Sequence, residues 1–165
     1  MDEVNAQADE KLWWEEVSFP VLLRHSRRTY GGAMRQALDE AGYDDIPANG
    51  LYIIGGLALE DEDVPLRRLV KELGITKQGA GQLVDSLVMR GYLQRTVDEN
   101  DRRQLIVSLT ERGKAAADVQ RQAREKIDAA LLACVGEADL YATRRTLAVV
   151  IGMGHEDEEQ AEAAA

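Results

Sequence analysis

Between Pro65 and Thr110 the chain changes its hydrophobic period from helical to strand-like, and that order of elements narrows the fold. Leu66, Leu69, Val70 and Leu73 follow the i, i+3, i+4, i+7 spacing of a helix with one buried face. Pro65 opens that helix and Gly74 ends it. After a single residue, Thr76 can cap a second helix that runs to about Arg90, with Ala80, Leu83, Val84 and Leu87 as its buried stripe and Gly91 as its stop. Two short amphipathic helices joined by a glycine-containing turn form a helix-turn-helix candidate. Tyr92 to Val97 then reads as a strand, and Asp98 to Gln104 as a polar loop. Leu105 to Leu109 is a second strand with Leu105, Val107 and Leu109 on one face, so the pair is a β-hairpin with a long charged tip.

The flanks are helical in pattern. An apolar cluster at Leu12, Trp13, Trp14 and Val17 suits a short amphipathic helix. Ser18 and Pro20 open a long helix over about 19–41, with Gly42 as its stop. Asn49 can cap another helix through Leu59, which Gly55 and Gly56 either weaken or open to close packing. After the hairpin, Thr110 can cap a helix over about 111–135, and a last helix covers about 138–152. The acidic tail from His155 is expected to fray.

Charge sharpens the reading. The whole chain carries −10, which taken alone argues against nucleic acid. Residues 64–114, however, hold ten basic and six acidic side chains, a net +4, against −14 for the remainder. A basic module inside an acidic chain indicates where an anionic partner docks.

The hairpin carries a resemblance. Asp98-Glu99-Asn100-Asp101-Arg102-Arg103, followed by Ile106-Val107-Ser108-Leu109-Thr110-Glu111-Arg112-Gly113, resembles the wing signature of the MarR (multiple antibiotic resistance regulator) family. Leu69 to Gly74, Leu83 to Leu87 and Gly91-Tyr92-Leu93 are similar to the family as well, and the likeness spans about residues 19–152. The sequence departs from the family at Gly79-Ala80-Gly81-Gln82 in the second helix, and at Asn100, where an Arg is frequent. The implied fold is mainly α with a small β-hairpin wing: a winged helix-turn-helix between long N- and C-terminal dimerisation helices. On that reading residues 1–165 are one domain. The dimerisation helices lie at about 19–48 and 111–152, the winged lobe at about 49–110, and the acidic tail at 155–165.

The resemblance implies a homodimer that binds double-stranded DNA, is released by a small aromatic or anionic effector, and acts most simply as a repressor. In a recognition helix the N-terminal residues face base edges; here these are Thr76, Lys77, Gln78, Gly81 and Gln82. Gln pairs with adenine and Lys with guanine or phosphate. Arg67, Arg68, Arg90 and Arg95 are phosphate candidates, and Arg102 and Arg103 keep the wing tip positive. Arg103 suits a narrow minor groove, with Asp101 holding its guanidinium. Val21, Leu22, Leu140, Leu147, Val150 and Ile151 are dimer candidates. His25, Arg28, Tyr52 and Gly56, with Trp13 or Trp14, are the residues expected around an effector.

Other classes are disfavoured. Two histidines and one cysteine give no metal spacing and no phosphate loop, so no cofactor or metal is expected and an enzyme is not. A single cysteine, Cys134, excludes an internal disulfide; it lies in an apolar stripe where thiols are inert packing. No apolar run reaches membrane-span length and the start is acidic, so no membrane partner is expected and the cytoplasm is the expected compartment. The alternative is a homodimer of the same fold that binds a ligand or a protein and has weak or lost DNA binding.

Overall fold

A computed structural model of the chain describes the backbone of residues 12–60, 64–65, 68, 76–97 and 105–163. A 3-10 turn at Trp13–Glu15 precedes α1, Phe19–Glu40, and α2, Gly50–Leu57. Strand β1 is Val64–Pro65, α3 is Lys77–Met89, and strands β2 and β3 are Leu93–Val97 and Leu105–Leu109. Glu111–Ala163 is helical except at Gly136, whose φ of 77° and ψ of 171° divide it into α4, residues 111–135, and α5, residues 137–163. The chain falls into two compact units, residues 1–123 and 124–165.

The glycine stops act through backbone hydrogen bonds. Gly42 has φ of 81°; its N–H donates to Asp39 O at 3.2 Å, and the Tyr43 N–H donates to Leu38 O at 2.8 Å. That pair of bonds is a Schellman motif, which satisfies carbonyls the helix end leaves open. Gly91, at φ of 74°, repeats it at the end of α3, with bonds to Val88 O at 2.9 Å and from Tyr92 N–H to Leu87 O at 3.0 Å.

Several sequence expectations need correction. The N-terminal apolar cluster forms only the 3-10 turn among the described residues. Asn49 has helical dihedrals and its side chain makes no cap bond; a turn bond from Gly50 N–H to Pro47 O, at 2.7 Å, opens α2 instead, and α2 ends at Leu57. Pro65 does not open a helix: it pairs with Ile106 as an edge strand, where a missing N–H costs nothing. The remainder of the helix expected at 66–74 lies outside the described residues, apart from helical Arg68. Helix α5 continues to Ala163, so the tail is helical through that residue. Cys134 is exposed on α4 rather than packed.

The three strands are antiparallel in the order β1-β3-β2, with Val64 opposite Val107 and Leu93 opposite Leu109. The core of residues 1–123 joins Leu38 of α1, Ile53 and Ile54 of α2, Val84 and Leu87 of α3, and Val107 of β3. Gln120 of α4 is also fully buried, and neither its Oε1 nor its Nε2 has a partner among the described residues. A buried amide without hydrogen bonds carries a desolvation penalty of about 1–3 kcal/mol. Gln120→Met keeps the shape and removes the penalty, so it is expected to raise Tm by several degrees in a calorimetric melt. A lowered Tm would show that the amide is satisfied in solution.

Candidate nucleic-acid interface

Helix α3 begins at a cap of its own making. Thr76 is extended, and its Oγ1 accepts from the Gly79 N–H at 3.1 Å. Ala80, Val84 and Leu87 are buried, which leaves Thr76, Gln78 and Gln82 exposed at the N-terminal end. Gln78 and Gln82 stand four apart and so share one face. Among the described residues, a side chain at Gly81 would meet nothing within 4 Å. Lys77 starts α3, but its side chain lies outside the described residues.

The hairpin is tied to α3 at its root. Thr110 follows β3 directly and its N–H donates to Tyr92 O at 3.0 Å. Its hydroxyl donates to Gly91 O at 2.5 Å, with Tyr92 O at 3.1 Å, and accepts from the Gly113 N–H at 3.1 Å. One hydroxyl thus closes the end of α3 and caps α4. Farther along the hairpin, Arg95 of β2 donates to Asp85 of α3 at 2.6 Å, although its buried Nε has no partner among the described residues.

The phosphate candidates are engaged within the chain. Arg68 pairs with Glu60 at 2.6 Å, Arg90 donates to the hydroxyl and carbonyl of Ser86, and Arg95 holds Asp85. These are exposed contacts, which are individually weak and exchangeable. Arg67 and the tip residues Asp101, Arg102 and Arg103 lie outside the described residues.

One cluster had no signal in the sequence. The Asp45 carboxylate accepts from the Tyr92 hydroxyl and, at 3.2 Å, from Arg112 Nη2, which also donates to the Tyr92 oxygen at 2.9 Å. The Tyr92 hydrogen bond, supported by the Arg112 charge against some desolvation, holds the Asp45 carboxyl below its ordinary value. Burial pushes the Tyr92 hydroxyl up, and its bond to Asp45 adds to that. Asp45 therefore stabilises the fold above the unfolded carboxyl pKa, and that stabilisation fades as pH falls through the lowered value.

Residues 45–104 match the model of the MarR family. Over these 60 residues the chain is similar to the MarR family. Solved structures agree in fold. Staphylococcus aureus MepR in complex with DNA is 18% identical, covers 84% of this chain and 99% of its own, and has a TM-score of 0.69. A MarR transcriptional regulator from Methanosarcina mazei is 21% identical, with 83% and 96% coverage and a TM-score of 0.70. MarR of E. coli is 20% identical, with 82% and 96% coverage and a TM-score of 0.60. At these identities the likeness establishes the winged helix-turn-helix fold. No curated protein matches the sequence.

The six effector candidates do not come together as one set. Trp13 and His25 line an open groove of about 480 Å³ along α1, with Val17, Val21 and Leu22. Tyr52 lies instead under the Arg27 guanidinium, 4.3 Å from its ring centroid, and touches Gly31. Trp14 and Arg28 are exposed, and Gly56 faces open space. Among the described residues no group of acidic, histidine or cysteine side chains could hold a metal, and no helix is long and apolar enough to cross a membrane.

Proposed function

We propose that this chain is a MarR-family regulator: a homodimeric, cytoplasmic repressor that reads a pseudo-palindromic duplex. Helix α3 enters the major groove, and the hairpin tip enters the adjacent minor groove. The observation that carries the reading is the exposed Gln78–Gln82 face at the capped N-terminus of α3, on a helix fastened to a charged hairpin. Gly81, with open space around it, lets the α3 backbone approach a base edge closely. The fold shared with MepR, solved with DNA, supports the same assignment.

Dimerisation is supported by apolar surface. Within one chain Val150 and Ile151 are 42% and 62% exposed, and Val21, Leu22, Leu140 and Leu147 are half-buried. Apolar residues left this open mark a contact with another surface, and a two-fold dimer sets its recognition helices about one DNA turn apart. Release follows if a small aromatic anion binds the DNA-incompetent dimer better than the competent one. Linkage then requires DNA to weaken that anion's binding by the same factor. Calorimetry with salicylate, with and without DNA, checks this; equal affinity in both would remove it as an effector.

The DNA reading is tested with a duplex selected from a random-sequence pool by the full-length protein. Gln78→Ala and Gln82→Ala are expected to lose roughly tenfold on the selected duplex and little on a scrambled one, because base contacts carry discrimination. Equal losses on both would mean that neither residue reads bases. A second reading, a homodimer without DNA binding, is favoured by the −10 charge and the intramolecular pairing of Arg68, Arg90 and Arg95. Failure to select any duplex at low salt would establish it.

A further inference from the structure

Asp45, Tyr92 and Arg112 meet where three segments converge. Tyr92 stands between the glycine that ends α3 and the first residue of β2. Arg112 lies in the first turn of α4, three residues after β3 ends. Asp45 belongs to the loop between α1 and α2. The Arg112 guanidinium lies 4.6 Å from the Tyr92 ring centroid and 5.8 Å from that of Tyr43, and the two rings meet edge to face at 6.1 Å. The loop is itself held to α1, because Arg35 donates to Ile46 O at 2.8 Å and to Pro47 O at 3.2 Å.

As an isolated surface pair, Asp45 and Arg112 would count for little, since their side chains are 42% and 46% exposed. The buried Tyr92 changes that, because both charged groups bond its hydroxyl, at the single point where the hairpin leaves α3. The ring alone would fill the core. The hydroxyl fixes direction, bonding the hairpin root to the α1–α2 loop on one side and to α4 on the other.

We infer that Tyr92, Asp45 and Arg112 are positioning residues for the hairpin: together they set the angle at which β2 and β3 leave α3, and so where the tip arrives when α3 is docked. This rests on the proposed reading in which the tip reaches DNA. A two-point contact with a stiff duplex tolerates only small errors, on the order of 0.5 Å and 10–20° for a preorganised site. None of the three residues needs to touch DNA to affect its binding.

A double-mutant cycle tests this on the full-length dimer with the selected duplex, by fluorescence anisotropy and thermal melting. Tyr92→Phe removes one oxygen and keeps the ring. It is expected to weaken binding roughly fivefold in the wild-type background, and by less than about twofold in the Arg103→Ala background, because coupled residues are non-additive. Arg112→Gln, at an exposed position, is expected to give the same pattern if Tyr92→Phe melts too early to assay. An equal loss in both backgrounds, or no loss at all, overturns the inference and leaves the DNA reading standing. A silent Arg103→Ala variant removes the tip contact, and the inference with it.

Discussion

Gly113→Ala is expected to be among the most damaging single substitutions in this chain. A Cβ at that position would lie 2.1 Å from the Tyr92 carbonyl oxygen, 3.1 Å from the Tyr92 carbonyl carbon and 3.0 Å from Leu109 Cδ2. Two of those neighbours are backbone and cannot rotate away. Moving them would break the bonds that Thr110 makes to Gly91 and Tyr92, which hold the hairpin root closed. A loss of about 4 kcal/mol or more is expected, a large share of the roughly 5–15 kcal/mol that stabilises a typical domain. Urea unfolding followed by circular dichroism measures it. Gly32→Ala is the control: it lies in α1 with nothing within 4 Å of the added methyl among the described residues, and should stabilise the helix by up to about 1 kcal/mol. If Gly113→Ala unfolds within 1 kcal/mol of the wild type, the close approach to Tyr92 does not hold in solution.

Arg103→Ala is expected to have the largest effect on DNA. An arginine at a hairpin tip gains most in a narrow minor groove, where the negative potential is concentrated. Its removal should cost about 1–3 kcal/mol, roughly 5- to 150-fold in Kd, with the melting temperature unchanged. Anisotropy titrations at two salt concentrations separate this from a phosphate contact, which would mainly reduce the salt slope, by about one. An unchanged Kd would leave the tip without a role in binding.

Local signals were legible in the sequence. Thr76, Thr110, Gly42 and Gly91 each mark a helix boundary by residue type, and each makes the hydrogen bonds of a cap or stop there. Such bonds span three to five residues, so a short window contains their cause. Strand β1 was not legible, because proline before an apolar helical pattern signals a helix start, and its pairing partners Val107 and Ile106 lie about forty residues away. The Asp45–Tyr92–Arg112 cluster joins residues 47 and 20 positions apart, and no periodicity encodes such a meeting. Arg95 looked like a phosphate ligand because an exposed-looking arginine on a basic segment carries no mark of its partner; the fold points it at Asp85. Gln120 is fully buried on α4, and nothing in its residue type marks that position as an interior one.

The sheet has a consequence for how this protein behaves when concentrated. A three-stranded sheet leaves two outer strands, and an outer strand with free N–H and C=O groups invites a neighbour's strand to add on. On one side the outer strand, among the described residues, is Val64–Pro65, and proline offers no N–H to a newcomer. Those two residues can extend at most one donor to another chain, too little to template a growing ribbon. On the other side the outer strand is β2, whose single charged residue, Arg95, is held in an ion pair with Asp85 of α3. Edge-to-edge addition of a neighbour's strand is thus disfavoured on the β1 margin of the sheet.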